Sequence, residues 1–242
     1  MLTVQGLIRR RILVNYRVDP EIIGRLLPAP FRPKLLGDSG MAGICLIRLE
    51  QIRPQSLRLA VGLSSENAAH RIAVSWRNEA GETSEGVYIP RRDSSSRWNR
   101  WAGGRLFPGE HHAATFRVRE SAETLSLAMR SRDGEIAVEI EAHSAASLPK
   151  SSGFKTLEEA SSFFERGSLG YSARSKSSRL DSLYLCAQTW KVEPLEIDFL
   201  STSYFSDERL FPKGTAEFDS ALLMRDIPHQ WRAGPPIAAA SE

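Results

Sequence analysis

The sequence predicts a mainly β fold: an antiparallel barrel or sandwich of about ten strands with a few short peripheral helices. Three observations predict it. Apolar residues recur at every second position through most of the chain, the period of a strand with one face buried. Turn residues punctuate these stretches, and the 17 Gly and 13 Pro supply them. The 242 residues match one β-rich domain, a class that reaches about 250 residues. Residues 1–242 are therefore read as a single domain, with a Pro/Ala-rich tail from Arg232 expected to fray.

The first strand covers 8–17. Asp19-Pro20 then offers an N-cap followed by Pro at the first helical position, and Ile22, Ile23, Leu26 and Leu27 form a one-sided stripe before Pro28. Strands follow at 42–52, beyond the Gly37-to-Gly40 turn, at 70–77 and at 86–91. A helix is expected over 94–102, carrying Trp98 and Trp101, and a strand over 112–119. Residues 124–142 form a hairpin around Asp133-Gly134. A tight turn there pairs Met129 with Val138 and Leu127 with Ile140, so the apolar faces coincide. Thr156 with Glu159 makes a capping box, and the helix it opens carries Phe163 and Phe164 as far as Gly167. Strands at 182–192, 195–203 and 215–224 complete the pattern.

Composition narrows the function. With 41% apolar and 25% charged residues the chain has an ordinary globular balance. It has no apolar run near the roughly 18 residues of a membrane span and no secretory pattern, so a cytoplasmic location without membrane attachment is expected. Cys45 and Cys186 sit among apolar neighbours without CxxC spacing, as buried thiols do. Residues 1–120 carry 19 Lys+Arg against 11 Asp+Glu, and residues 121–242 carry 13 against 18. The basic half suits an anionic partner, yet its cations are scattered, which argues against nucleic acid and for a small anionic metabolite. Of the cations 26 are Arg and six Lys, and no lysine lies between Lys34 and Lys150. None of the five His stands at the i, i+4 spacing of a helical zinc pair, and neither GxSxG nor a glycine-rich nucleotide loop appears, so no metal or cofactor is expected.

Chemistry concentrates between Glu85 and Phe116, EGVYIPRRDSSSRWNRWAGGRLFPGEHHAATF. Arg91, Arg92, Arg97 and Arg105, with Tyr88, are candidates to hold a carboxylate or phosphate. Pro108-Gly109 turns the chain toward Glu110, His111 and His112. Adjacent strand residues face opposite ways, so at most one of the two histidines enters a common cavity.

Asn15 to Phe31, NYRVDPEIIGRLLPAPF, resembles the N-terminal signature of the acetoacetate decarboxylase superfamily, in which a Tyr-Arg-x-Asp strand end leads into a short helix closed by Leu-x-Pro-x-Pro. VYIPRRDSSSRWNRWAGGRLFPGEHH and FPKGTAEFDSALL (Phe211 to Leu223) resemble the YqjF-like family of unknown function within it. The likeness extends over most of residues 5–230. It implies a cone-like antiparallel β-barrel whose interior holds a small-molecule site, and leaves a homo-oligomer open.

In the decarboxylase an aromatic-Pro-Lys-Lys stretch supplies a Schiff-base lysine and a second amine that depresses its pKa. The matching stretch here is Leu106-Phe107-Pro108-Gly109-Glu110, so the resemblance implies a site without that amine. Two readings remain. One is an enzyme in which Glu110 or Glu66, desolvated in the barrel, and His111 move protons on a keto- or enol-type anion. The other is a non-catalytic binding or sensing barrel.

Overall fold

The structure, a computed structural model, describes residues 3–56, 62–96, 109–173 and 179–238. Chain order is β1 (Val4–Val18), α1 (Pro20–Gly24), β2 (Arg32–Pro33), β3 (Leu35–Leu36), β4 (Ser39–Pro54), β5 (Leu63–Arg77), β6 (Thr83–Ser94) and β7 (His111–Glu120). There follow β8 (Thr124–Ser131), β9 (Ala137–Ser144), α2 (Leu157–Glu165), β10 (Leu169–Ala173), β11 (Arg179–Ala187), β12 (Glu193–Thr202), β13 (Ala216–Ala233) and β14 (Ile237–Ala238). Among the described residues no helix is long and apolar enough to cross a membrane.

The strands close on themselves twice. Nine of them, β6-β7-β8-β9-β12-β13-β1-β4-β5, form a closed barrel. A second circuit runs from β6 through β10 and β11 to β13 and returns along β1, β4 and β5. The circuits part where two strands change neighbours. β6 pairs with β10 at Val87 and Tyr88 but with β7 at Arg92 to Ser94. β13 pairs with β12 at Ala221 to Leu223 but with β11 at His229 to Ala233. Five strands, β13-β1-β4-β5-β6, are thus a common wall. The pairings of β6 with β7 and β10 are parallel, so the barrel is mixed where an antiparallel one was expected. The long connection after Ser94 permits this, since a parallel neighbour needs a crossover.

A wall between two interiors must be apolar on both faces. That is why Ile12-Leu13-Val14 and Ile44-Cys45-Leu46-Ile47 are unbroken apolar runs. Ile12, Val14, Tyr16, Ile44 and Leu46 join the barrel core with Leu127, Met129, Val138 and Ile140. Leu13, Cys45 and Ile47 point the other way, into a second core with Phe154, Phe163 and Phe164. Tyr16 stacks on Phe205 at 4.0 Å, and Phe31, Trp76 and Tyr171 pack edgewise, so aromatic rings fill much of the barrel.

The hairpin register is as the sequence predicts, Met129 opposite Val138 and Leu127 opposite Ile140. Gly134 has φ +79°, a conformation that favours glycine. Asp19 caps α1 by accepting from the Glu21 and Ile22 amides, but the helix ends at Gly24, and Leu26 and Leu27 close tighter i→i+3 turns. The strand expected over 182–192 runs from 179 to 187, ending where its partner β13 presents Pro228, which has no N–H. The tail expected to fray from Arg232 carries strand pairings as far as Ala238. Ala233 pairs with Leu183 and Ile237 with Leu180, because Ser182 binds the Gly234 amide and the Pro235 carbonyl. The helix expected over 94–102 falls, from 97 onward, outside the described residues.

At α2, Thr156 Oγ1 accepts the Glu159 amide at 3.1 Å while Glu159 reaches back to the Lys155 amide at 2.8 Å. Thr156→Ala is expected to cost about 1 kcal/mol, measured by urea denaturation.

Candidate functional site

Two polar assemblies on opposite faces of the common wall contain four of the predicted site residues, Glu66 and Arg91 in one, Arg92 and His111 in the other. The first lies at one end of the nine-strand barrel. Arg10, 2% exposed, donates to Glu66 at 2.7 Å and to Glu120 at 2.9 Å. Arg225 also donates to Glu120, while Arg48 bridges Glu66 and Glu50, and Arg9 joins Glu50 to Asp226. Burial raises the Glu66 pKa in spite of Arg10 and Arg48. At Glu120 burial pushes the same way, but the hydrogen bonds from Arg10 and Arg225 outweigh it and the net shift is down. Glu66 is therefore a member of a balanced ionic network. Tyr88 belongs to the aromatic barrel core, beside Phe31.

Arg91 is on this side too. It donates to Asp93 at 3.1 Å, to Asp133 at 2.6 Å and to Glu135, which leaves little of its fork for an incoming anion. His112 Nδ1 lies 2.9 Å from the same Asp133. Close by, His70 is fully buried against Tyr204, and neither imidazole nitrogen has a hydrogen-bond partner. Burial and the Arg91 charge lower its pKa to about 3.

The second assembly occupies the compartment behind the wall. A cavity of about 80 Å³ is lined by Asn67, Ala69, Arg92, Asp93 and His111, with Ile47, Leu183 and Trp231 among its apolar walls. Register builds it: Leu13, Cys45, Ala69, Arg92 and His111 stand directly opposite one another across β1, β4, β5, β6 and β7. Arg92 is partly buried, with its Nε shut off from solvent and unpartnered, and its guanidinium donates to Ser172 Oγ at 3.3 Å. Burial lowers its pKa to about 10. Gly109, at φ +87°, backs onto the same place: a Cβ there would stand 2.7 Å from Ser172 Cβ and 3.6 Å from Arg92 Nε.

Two more guanidiniums share this face. Arg11 Nε donates to Cys45 Sγ at 3.3 Å, Arg11 also contacts Met224 Sδ at 3.9 Å, and its Cζ lies 5.4 Å from the Trp190 ring centre. Arg71, 6% exposed, donates to Asn15 Oδ1 and lies over Phe164 at 4.7 Å, with Nε unpartnered. Burial lowers the Arg71 pKa to about 10 as well. His229, buried beside Trp231 with both ring nitrogens unpartnered, is held down to about 4 by burial.

The structure thus brings Arg92 and His111 together and separates them from Glu66, Arg91 and Tyr88. Glu110 is exposed at the entry to β7, so the desolvation that was to make it an acid or base is absent. The reason is strand alternation: His111, the next residue, takes the inward position. Arg97 and Arg105 lie outside the described residues. Arg92 and His111 stand behind the barrel wall, and aromatic side chains occupy much of the barrel interior, where the resemblance implied a site. Arg11, Cys45, Arg71, Ser172 and His229 are the members that motif reading missed. Their signal was a charged or polar residue within a strand apolar on both faces, such as Arg71 in AAHRIAV.

The backbone resembles solved structures over nearly its whole length. An acetoacetate decarboxylase from Legionella pneumophila superimposes with a TM-score of 0.62 at 12% identity, covering 97% of this chain and 87% of that one. The enduracididine biosynthesis enzyme MppR gives 0.64 at 12% identity, over 99% and 88%. An acetoacetate decarboxylase-like enzyme from Sphingomonas wittichii gives 0.60 at 14%, over 99% and 94%. These likenesses establish an acetoacetate decarboxylase-like fold. No curated protein matches the sequence. The DUF2071 family, an uncharacterised conserved protein, matches residues 7–223, and the chain belongs to that family.

Proposed function

We propose that this protein binds a small carboxylate-bearing molecule in the cavity over Arg92, without forming an imine with it. The observation that carries the reading is Arg92 itself, a guanidinium facing a cavity with a serine hydroxyl as its described partner. A partly buried cation of this kind favours an anionic guest with planar, forked acceptors. Several features support the absence of imine chemistry. Gly109 and Glu110 stand where the resemblance puts the decarboxylase lysines, and Glu110 points to solvent. Ser172 fills the space that a side chain on Gly109 would need. Among the described residues Lys34 is the buried lysine, and its ammonium is tied to Glu85 at 2.6 Å and to the Phe163 carbonyl.

A second reading, proton transfer on the bound anion, is favoured by one observation: His111 lines the same cavity directly opposite Arg92. Turnover would appear as exchange of the α-protons of pyruvate for deuterium, followed by NMR and lost in His111→Gln.

Binding is tested by thermal unfolding with pyruvate. At a hundredfold excess over Kd a ligand stabilises by about 2.7 kcal/mol, which raises the midpoint of a chain this size by about 5–10 °C. The shift is expected in the native protein and absent in Arg92→Gln. Borohydride with pyruvate should leave the mass unchanged; a covalent adduct would refute the proposal.

A further inference from the structure

The arginines divide by the partners they meet. Arg9, Arg10, Arg17, Arg48, Arg91 and Arg225 each meet at least one carboxylate. Arg11, Arg71 and Arg92 meet none among the described residues. Their partners are a thiol and a thioether, a side-chain amide, and a hydroxyl, together with the faces of Trp190 and Phe164. All three surround one point. Arg11 donates to Cys45 Sγ. Arg92 stands two strands from Cys45 along one row, and Arg71 stands diagonally across from it, opposite Gly43.

Guanidinium does not shed its proton in a protein, and burying a cation without a counter-charge is expensive. Three together make the compartment an electrostatic sink for negative charge. Asp219 is reached from Arg71 only through Asn15 and Ser220 and is already held by Arg17 and the Gly153 amide, and Asp93, which borders the cavity, is held by Arg91. One carboxylate on Arg92 would leave two of the three charges uncompensated. The unpartnered Nε atoms of Arg71 and Arg92 and the unpartnered nitrogens of Trp190 and His229 are further polar groups on this face whose bonds the protein does not complete.

Resting on the carboxylate-binding reading above, we infer that the natural ligand is a compact dianion, a short dicarboxylate, with one carboxylate on Arg92 and the other drawn toward Arg11 and Arg71 across Cys45. Size sets the length. The cavity that Arg92 lines is about 80 Å³, which suits a compact guest rather than a long chain; Arg11, Arg71 and Cys45 lie outside its lining, and the two arginines act on the guest by their charge.

The test is calorimetry on the full chain with acetate, malonate and inorganic phosphate at equal ionic strength. Malonate is expected to bind tighter than acetate by roughly tenfold or more, the worth of one further charge-assisted contact. Arg11→Gln and Arg71→Gln should each erase most of that advantage, weakening malonate more than acetate, whereas Arg92→Gln should weaken both. Arg71→Lys, which keeps the charge, guards against a folding defect in Arg71→Gln and should retain part of the preference. Equal binding of acetate and malonate by the native chain overturns the dianion while the binding proposal stands. Binding of neither overturns both. Phosphate binding tighter than malonate overturns the dicarboxylate in favour of a phosphorylated guest.

Discussion

Lowering the pH from 7.5 to 5 is expected to remove about 4 kcal/mol of stability through two buried histidines alone. His70 and His229 have folded-state pKa values of about 3 and 4, because burial penalises their charged forms and Arg91 and Arg11 respectively add repulsion. The unfolded chain takes up these protons near pH 6.5, so the contribution is fully present above that value. It is lost as the pH falls, at about 1.4 kcal/mol per unit for each ring, until the folded pKa is reached. His143, exposed and bonded to Asp198, works in the opposite direction, and Glu66, raised by burial, begins to oppose the loss only in the carboxylate range. Urea denaturation at pH 7.5, 6 and 5 measures the slope. The double variant His70→Phe, His229→Phe should flatten it; equal slopes for the two proteins would rule the mechanism out.

Arg10→Ala should destabilise the native state by about 3–5 kcal/mol, the range for stripping one partner from a buried ion pair. Arg10 bridges Glu66 and Glu120, and its loss leaves two carboxylates crowded at the barrel end with only Arg48 and Arg225 to hold them. Arg9, whose side chain is 49% exposed, serves as the comparison, and Arg9→Ala should cost far less. Adding Glu66→Gln to Arg10→Ala should recover part of the loss, since the two changes act on one network. An Arg10→Ala variant no weaker than Arg9→Ala would contradict the assignment.

The sequence carried more of the fold than of the site. Alternation placed nearly every long strand, and the Asp133-Gly134 turn set the register of β8 against β9, because both are local rules acting over a few residues. The second circuit was not legible. Its closure depends on β6 and β13 changing partners midway, which no local pattern encodes. Glu110 was read from residue type and nearness in sequence to arginines, whereas strand parity leaves it exposed at the entry to β7; Glu66 is desolvated as expected, but the arginines that hold it come from β1 and β4. Arg92 and His111 were found because they stand in the dense segment between Glu85 and Phe116. Arg11 and Arg71 were overlooked because their neighbours are apolar, the very feature that buries them.

That β1 and β4 serve two interiors at once bears on how such a chain can diverge. Losing one residue from the middle of β1 would trade the lodgings of Ile12 and Arg11, carrying a permanent cation among stacked rings and a hydrocarbon into the polar pocket. Length changes among homologues should therefore gather in the connection between β8 and β9, which borders neither shared strand, while both central strands keep their span.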